Sequence, residues 1–338
     1  MATRLHTIPF IDYHTAGEPF RIIHDSVAPL DGPTVAAKRV AAQRSPDVEV
    51  IRKTLCREPR GHGDMYGCFV VEPDDDGADF GVLFFHNDGY STACGHGTIA
   101  LGAWAIQSGR VHGDPDGVTP VTIDVPSGRV TARVAQVGGS VTSVTFENVP
   151  SYPVRRDVAV ASSIGPLSVD VAYGGALYAS VPASALGLEV TPEHAPALRA
   201  LGREIKWALN DTEVAMHPRD PRLSGIYGTI IVDDLGRSER GLHQRNVTVF
   251  ADGRIDRSPC GSGTAARLAL LADDGRLTAG EELVHDSIVG TRFIGRFRAT
   301  DDGPPGSIIP SIEGMAYQTS VGVFTVDPAD PVGVGFLL

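Results

Sequence analysis

Two stretches decide how this chain is read: Cys94-Gly-His-Gly-Thr-Ile-Ala-Leu-Gly-Ala-Trp104 and Cys260-Gly-Ser-Gly-Thr-Ala-Ala-Arg-Leu-Ala-Leu270. They share the frame Cys-Gly-x-Gly-Thr-x-Ala. Each runs from a polar turn into an Ala/Leu-rich helical stretch that closes on Gly109-Arg110 or Gly275-Arg276. A strand, a glycine turn (Ser127-Gly128; Val289-Gly290) and a second strand are expected after each. The cysteines stand close to half the chain apart. Two similar halves, each presenting one cysteine at a helix start, is the simplest account of this order.

Outside the repeat the chain reads as short strands. Phe10–Tyr13, Val48–Leu55, Cys68–Glu72, Gly81–Phe85, Thr119–Val125 and Val130–Val137 have β-rich composition. So do Val141–Glu147, Ser168–Ala172, Gly228–Asp233, Asn246–Ala251 and Met315–Val326. Thr34–Arg44 and Pro192–Leu209 read as helices. Strands that outnumber helices without strict alternation predict an α+β fold. The expected division is 1–135 plus 302–338 for the half carrying Cys94, and 136–301 for the half carrying Cys260.

Composition narrows the function. At 338 residues and 42% hydrophobic, the chain can fill two cores. A formal charge of −12 argues against nucleic-acid binding and against docking on anionic membranes. Lysine occurs only at Lys38, Lys53 and Lys206, so a Schiff-base cofactor is not expected. The first twenty residues lack a signal pattern and no apolar run reaches spanning length. The four cysteines form no Cys-x-x-Cys pair. A cytoplasmic protein with free thiols is the expectation.

A cysteine at a helix start meets unpaired N–H groups and the positive end of the dipole, which favour its thiolate. The flanking glycines let backbone N–H groups approach a carboxylate. Two such turns face to face would grip one carboxylate and set a thiol on each side of the neighbouring carbon. That geometry suits removing a proton from one face of a stereocentre and returning one to the other. The scheme needs neither metal nor organic cofactor. Cys56 and Cys68 read instead as small buried hydrophobes.

Asn87-Asp-Gly-Tyr-Ser-Thr-Ala-Cys-Gly-His-Gly-Thr98 and Asp256-Arg-Ser-Pro-Cys-Gly-Ser-Gly-Thr264 resemble the two signature motifs of the proline racemase family, which includes hydroxyproline 2-epimerases and trans-3-hydroxy-L-proline dehydratases. Asp12-Tyr-His-Thr-Ala-Gly-Glu-Pro-Phe-Arg21, Glu58-Pro-Arg-Gly-His-Gly-Asp-Met-Tyr-Gly67 and Gly225-Ile-Tyr-Gly-Thr229 extend the resemblance over nearly the whole chain. It implies a diaminopimelate-epimerase-like fold: two pseudo-symmetric halves, each a curled, mostly antiparallel sheet around a central helix, with the site between them. It also implies that Cys94 and Cys260 are the acid/base pair. Gly95, His96, Gly261 and Ser262 would then hold the substrate carboxylate and Asp256 the ring amine, while no role follows for His62 or Asp64.

The paired cysteines point to an epimerase or racemase acting on proline or hydroxyproline. Dehydratases of the family typically replace one cysteine by Thr or Ser. Gly89-Tyr-Ser-Thr, Gly102-Ala-Trp and Gly225-Ile-Tyr-Gly-Thr nevertheless resemble that branch, and Ala93 stands where family members often carry Met. A trans-3-hydroxy-L-proline dehydratase is the alternative, and a non-catalytic binder of cyclic amino acids the second. A zinc site from Cys94, His96 and Cys260 is conceivable by ligand type. The Gly261-Ser-Gly-Thr-Ala-Ala266 match to a dinucleotide pattern fails, because the segment before it is too polar for a buried strand. A homodimer stays open.

Overall fold

The computed structural model describes residues 7–25 and 29–338. The first half of the chain supplies β1 (Thr7–Thr15), β2 (Glu18–Ile23), β3 (Tyr66–Val71), β4 (Phe80–His86), β5 (Gly89–Tyr90), β6 (Val118–Val125), β7 (Gly128–Val137) and β8 (Ser140–Glu147). It also supplies α1 (Val35–Arg44), α2 (Pro46–Cys56) and α3 (Gly95–Gln107). The second half supplies β9 (Tyr152–Ser162), β10 (Gly165–Tyr173), β11 (Leu177–Pro182), α4 (Ala195–Asn210), β12 (Ile226–Arg237), β13 (Gly241–Phe250) and β14 (Arg254–Asp256). Then come α5 (Gly261–Asp273), β15 (Glu282–Ser287), β16 (Arg292–Ala299), β17 (Ile308–Gly314) and β18 (Ala316–Thr325).

Strand pairing makes the repeat visible. One run is β18-β1-β2-β3-β4-β6-β7-β8. The other is β9-β10-β11-β12-β13-β15-β16-β17. Each is antiparallel except for two parallel pairs at matching places, β2–β3 and β4–β6 against β11–β12 and β13–β15. The runs join where β8 pairs with β17. The fold is α+β and of the expected kind. Pairing suggests dividing the halves after β8 and after β17, because β8 packs on α3 and β17 on α5. The expected boundary at 135 falls within β7 and that at 301 between β16 and β17.

Each run curls around one helix. Residues Gly95–Ala105 of α3 and Gly261–Leu271 of α5 are buried on every side, which suits helices that are mostly apolar or small; the charged exception, Arg267, donates to Gln244 Oε1 at 2.9 Å. Gly102 lets β7 and β8 come close, since a Cβ there would lie 2.7 Å from Ala132 Cβ. Val48–Leu55, expected as a strand, is instead α2. Ser45 caps it, Pro46 opens it and Asp47 and Glu49 complement its dipole. Val48, Ile51 and Leu55, at helical spacing, face the core.

Candidate active site

Helices α3 and α5 meet head to head. A Cβ on Gly95 would lie 2.5 Å from Gly261 Cα and 2.7 Å from Ser262 N. One on Gly261 would lie 2.6 Å from Gly95 Cα. Glycine is required at both places by this contact. The N–H groups of Gly95, His96, Gly261 and Ser262 belong to first turns, where no helical acceptor exists. The positive ends of both dipoles therefore converge on one point, and an anion there is met from both halves.

Cys94 caps α3: Gly97 N–H donates to its Sγ at 3.2 Å, and the His96 ring nitrogen Nδ1 lies 3.5 Å away. Cys260 precedes α5 at φ 61°, a left-handed backbone uncommon for a residue with a Cβ. Its surroundings impose that conformation. Cys260 N–H donates to Ser258 Oγ (3.0 Å), while Ser258 donates its N–H and hydroxyl to Asp256 Oδ1 (2.8 and 2.7 Å). Asn246 Nδ2 and Thr264 Oγ1 both donate to Pro259 O (2.9 and 3.0 Å). The Tyr178 hydroxyl stands 3.9 Å from Cys260 Sγ and 2.7 Å from Ser262 Oγ. The free oxygen of Asp256 faces His96 Nδ1 at 3.8 Å.

Cys94, His96, Asp256, Cys260 and Ser262 line one buried cavity with Tyr66, Ala93, Tyr178, Tyr227 and Phe250. Gly95 and Gly261 are not in its lining but abut each other and are the chain neighbours of Cys94, His96, Cys260 and Ser262, which are. The cavity volume is about 10 Å³, room for about one water molecule. Admitting a five-membered ring therefore requires the cleft to open. Sequence reasoning gave no role to the aromatic lining. Tyr66 and Tyr227 sit within motifs that were singled out, whereas Tyr178 and Phe250 lie in strands with no local signal.

The protonation of the thiols corrects an expectation. Burial pushes the Cys94 thiol well up, the Gly97 N–H only partly offsets this, and the nearby Asp256 charge adds to the rise. Burial likewise pushes Cys260 up, with Asp256 adding to it. Removal from water outweighs the hydrogen bonds to the two sulfurs and favours the neutral form of both thiols in the closed cleft. Burial also lowers the pKa of His96 against the pull of Asp256, so its imidazole is neutral at pH 7.

Behind the cavity, a charged network joins the halves. Asp64 accepts from Arg257 Nη2 at 2.7 Å and lies 3.6 Å from Arg199 Nη2. The Glu18 carboxylate oxygen Oε2 accepts the Arg257 N–H at 2.8 Å. Glu18 is fully buried, and burial together with Asp256 raises its pKa well above the usual carboxylate range. Asp88 pairs with Arg254 at 3.1 Å. His62 does not line the cavity; its carbonyl accepts Asn87 Nδ2 at 2.8 Å. Among the described residues no cluster of three or more His, Cys, Asp or Glu side chains is arranged to hold a metal ion, and no helix is long and apolar enough to cross a membrane.

Comparison with known proteins places these features in a wider set. A family model described as proline racemase matches residues 10–337. A trans-3-hydroxy-L-proline dehydratase from Burkholderia cenocepacia (strain HI2424) is 43% identical over 331 residues, covering 97% of each chain. A 3-hydroxyproline 2-epimerase from Burkholderia multivorans (strain ATCC 17616 / 249) is also 43% identical, again over 97% of each. Among solved structures, a hydroxyproline epimerase from Agrobacterium vitis with bound trans-4-OH-L-proline superposes with a TM-score of 0.89. It is 28% identical and covers 98% of this chain and 96% of that one.

Proposed function

The chain belongs to the proline racemase family, and we propose that it inverts the α-carbon of hydroxyproline or proline with Cys94 and Cys260 as the two acid/base groups. One observation carries the reading: two thiols, each at the start of one of two abutting helices, line a single buried cavity. The substrate carboxylate would accept from the N–H groups of Gly95, His96, Gly261 and Ser262, and the ring ammonium would face Asp256. The ammonium offsets the Asp256 charge that helps hold both thiols neutral, which eases release of one thiol proton to solvent before the cleft closes over the substrate. The resulting thiolate takes the α-proton from one face while the opposite thiol delivers its proton to the other. The two sulfurs thereby exchange protonation states, and the reverse reaction starts from the exchanged form.

Elimination is the second reading, favoured by the dehydratase name of several relatives at 41–43% identity. It needs one thiolate to take the α-proton and a thiol to protonate the 3-hydroxyl as it departs as water, with no proton returned to the α-carbon. The test is incubation in heavy water with proline and the 3- and 4-hydroxyproline isomers. Deuterium at the α-carbon with the opposite configuration is expected. Loss of water without an α-deuterated epimer moves the assignment to elimination, and binding with neither outcome leaves only a binding protein.

A further inference from the structure

We infer that the hydroxyl pair of Tyr66 and Tyr227 reads the ring hydroxyl of the substrate, making the cavity selective for hydroxyproline over proline. The inference rests on the proline-type pocket described above and extends it to a wall with no assigned role. With the carboxylate on the abutting helix starts, the ammonium at Asp256 and a sulfur on each face of the α-carbon, the ring carbons must turn to the remaining side. That side is Ala93, Tyr66, Tyr178, Tyr227 and Phe250. It is apolar apart from its phenol hydroxyls.

These hydroxyls are not equivalent. Tyr178 is engaged with Ser262, on the carboxylate side of the cavity. Tyr66 is hydrogen-bonded to Ser91 Oγ and, at 3.1 Å, to the Tyr227 hydroxyl. Three hydroxyls joined by two hydrogen bonds have capacity left at both ends, Ser91 and Tyr227, and Tyr227 is the end that lines the cavity. Its ring stacks on Phe250, with centroids 5.8 Å apart and planes within 15°, which fixes where its oxygen points. Tyr66 is buried and Tyr227 half-buried, and removal from water pushes both phenols up, so they stay proton-bearing at working pH. A ring hydroxyl entering this cavity loses water and needs a partner. A site built around such a contact also disfavours the ligand that lacks it, because its own buried hydroxyl is then left short.

The readout is a ratio, taken first on binding and then on turnover. Calorimetry gives the Kd of 3-hydroxyproline, 4-hydroxyproline and proline for the unmodified protein, Tyr227→Phe and Tyr66→Phe. α-Proton exchange in heavy water gives kcat/KM for the same set. In Tyr227→Phe the preference for one hydroxyproline over proline is expected to fall by about 10- to 100-fold. Tyr66→Phe, which leaves the Tyr227 oxygen in place but unanchored, should fall by less. An unchanged ratio in both variants overturns the inference, as does an unmodified protein with no preference for either hydroxyproline. Binding with the expected ratios but no exchange would sink the epimerase reading while leaving the hydroxyl contact standing.

Discussion

Replacing Gly95 by alanine tests the head-to-head contact of the two central helices. The added Cβ would lie 2.5 Å from Gly261 Cα. Ordinary contact begins near 3.4 Å, so one helix start must retreat by roughly 0.9 Å. The atoms it meets are backbone, which cannot swing aside as a side chain can. Crowding of this kind costs about 1–3 kcal/mol of stability. The chemical cost is larger, because a displacement of about 1 Å between reacting groups lowers rates by about 100-fold. Gly109→Ala separates the two effects. Gly109 ends α3 at φ 72° with no atom within 4 Å of its would-be Cβ, so alanine there strains only the backbone, by about 1 kcal/mol. Thermal unfolding and α-proton exchange should therefore diverge: both variants lose stability, and Gly95→Ala alone loses about two orders of magnitude in rate. A Gly95→Ala protein with exchange equal to that of Gly109→Ala would refute the abutting-helix site.

Cys94→Ser and Cys260→Ser should each abolish most epimerisation in both directions, measured by chiral chromatography. Retention of water loss by Cys260→Ser would instead mark elimination. Since burial holds both thiols neutral, their alkylation by iodoacetamide at pH 7 should be slower than that of free cysteine and should accelerate with pH; rapid labelling at pH 7 would contradict this. By the same cause the native state binds thiol protons more tightly than the unfolded state. Stability therefore holds below the unfolded thiol pKa of about 8.5 and is lost as pH rises above it. The melting temperature should drop between about pH 8 and 10, and drop less in the double Cys→Ala variant. Glu18→Gln preserves the acceptor for Arg257 and copies a neutral carboxyl, so it should match the unmodified protein near pH 4 and exceed it in melting temperature at pH 7, where the carboxyl ionises freely in the unfolded chain but not in the folded one. A lower melting temperature at pH 7 would argue for a charged Glu18.

What was legible in the sequence was the part encoded locally. The Cys-Gly-x-Gly-Thr frame marks two helix starts because the cap, the close-approach glycines and the small residues of a buried helix are contiguous. The helix Thr34–Arg44 was legible for the same reason, with Thr34 accepting from Ala37 N–H. Val48–Leu55 misled because its β-branched residues outweighed the Ser45-Pro46-Asp47 opening signal. The direction of the thiol shift was not legible: the hydrogen bonds of a helix start are local, whereas the burial that outweighs them comes from strands far away in the chain. The tyrosine wall escaped for a related reason. Tyr178, Tyr227 and Phe250 come from β11, β12 and β13, and only parallel and antiparallel pairing sets them side by side.

The seam between β8 and β17 decides how the cleft can move. The chain passes between halves only at Asn148–Ser151 and at Met315, both beside that seam. The halves thus share strand pairing along one spine, like the covers of a book, and a rotation about it is the opening that would leave that pairing intact. Opening at the far edge must break the pairs of Asp64 with Arg257 and of Asp88 with Arg254. Asp64 is buried but Asp88 and Arg254 are partly exposed, so added salt weakens chiefly the Asp88–Arg254 pair's hold on the closed form. Where opening limits turnover, as it does in many enzymes with closing domains, product release should quicken with ionic strength although the chemical step involves no exposed charge.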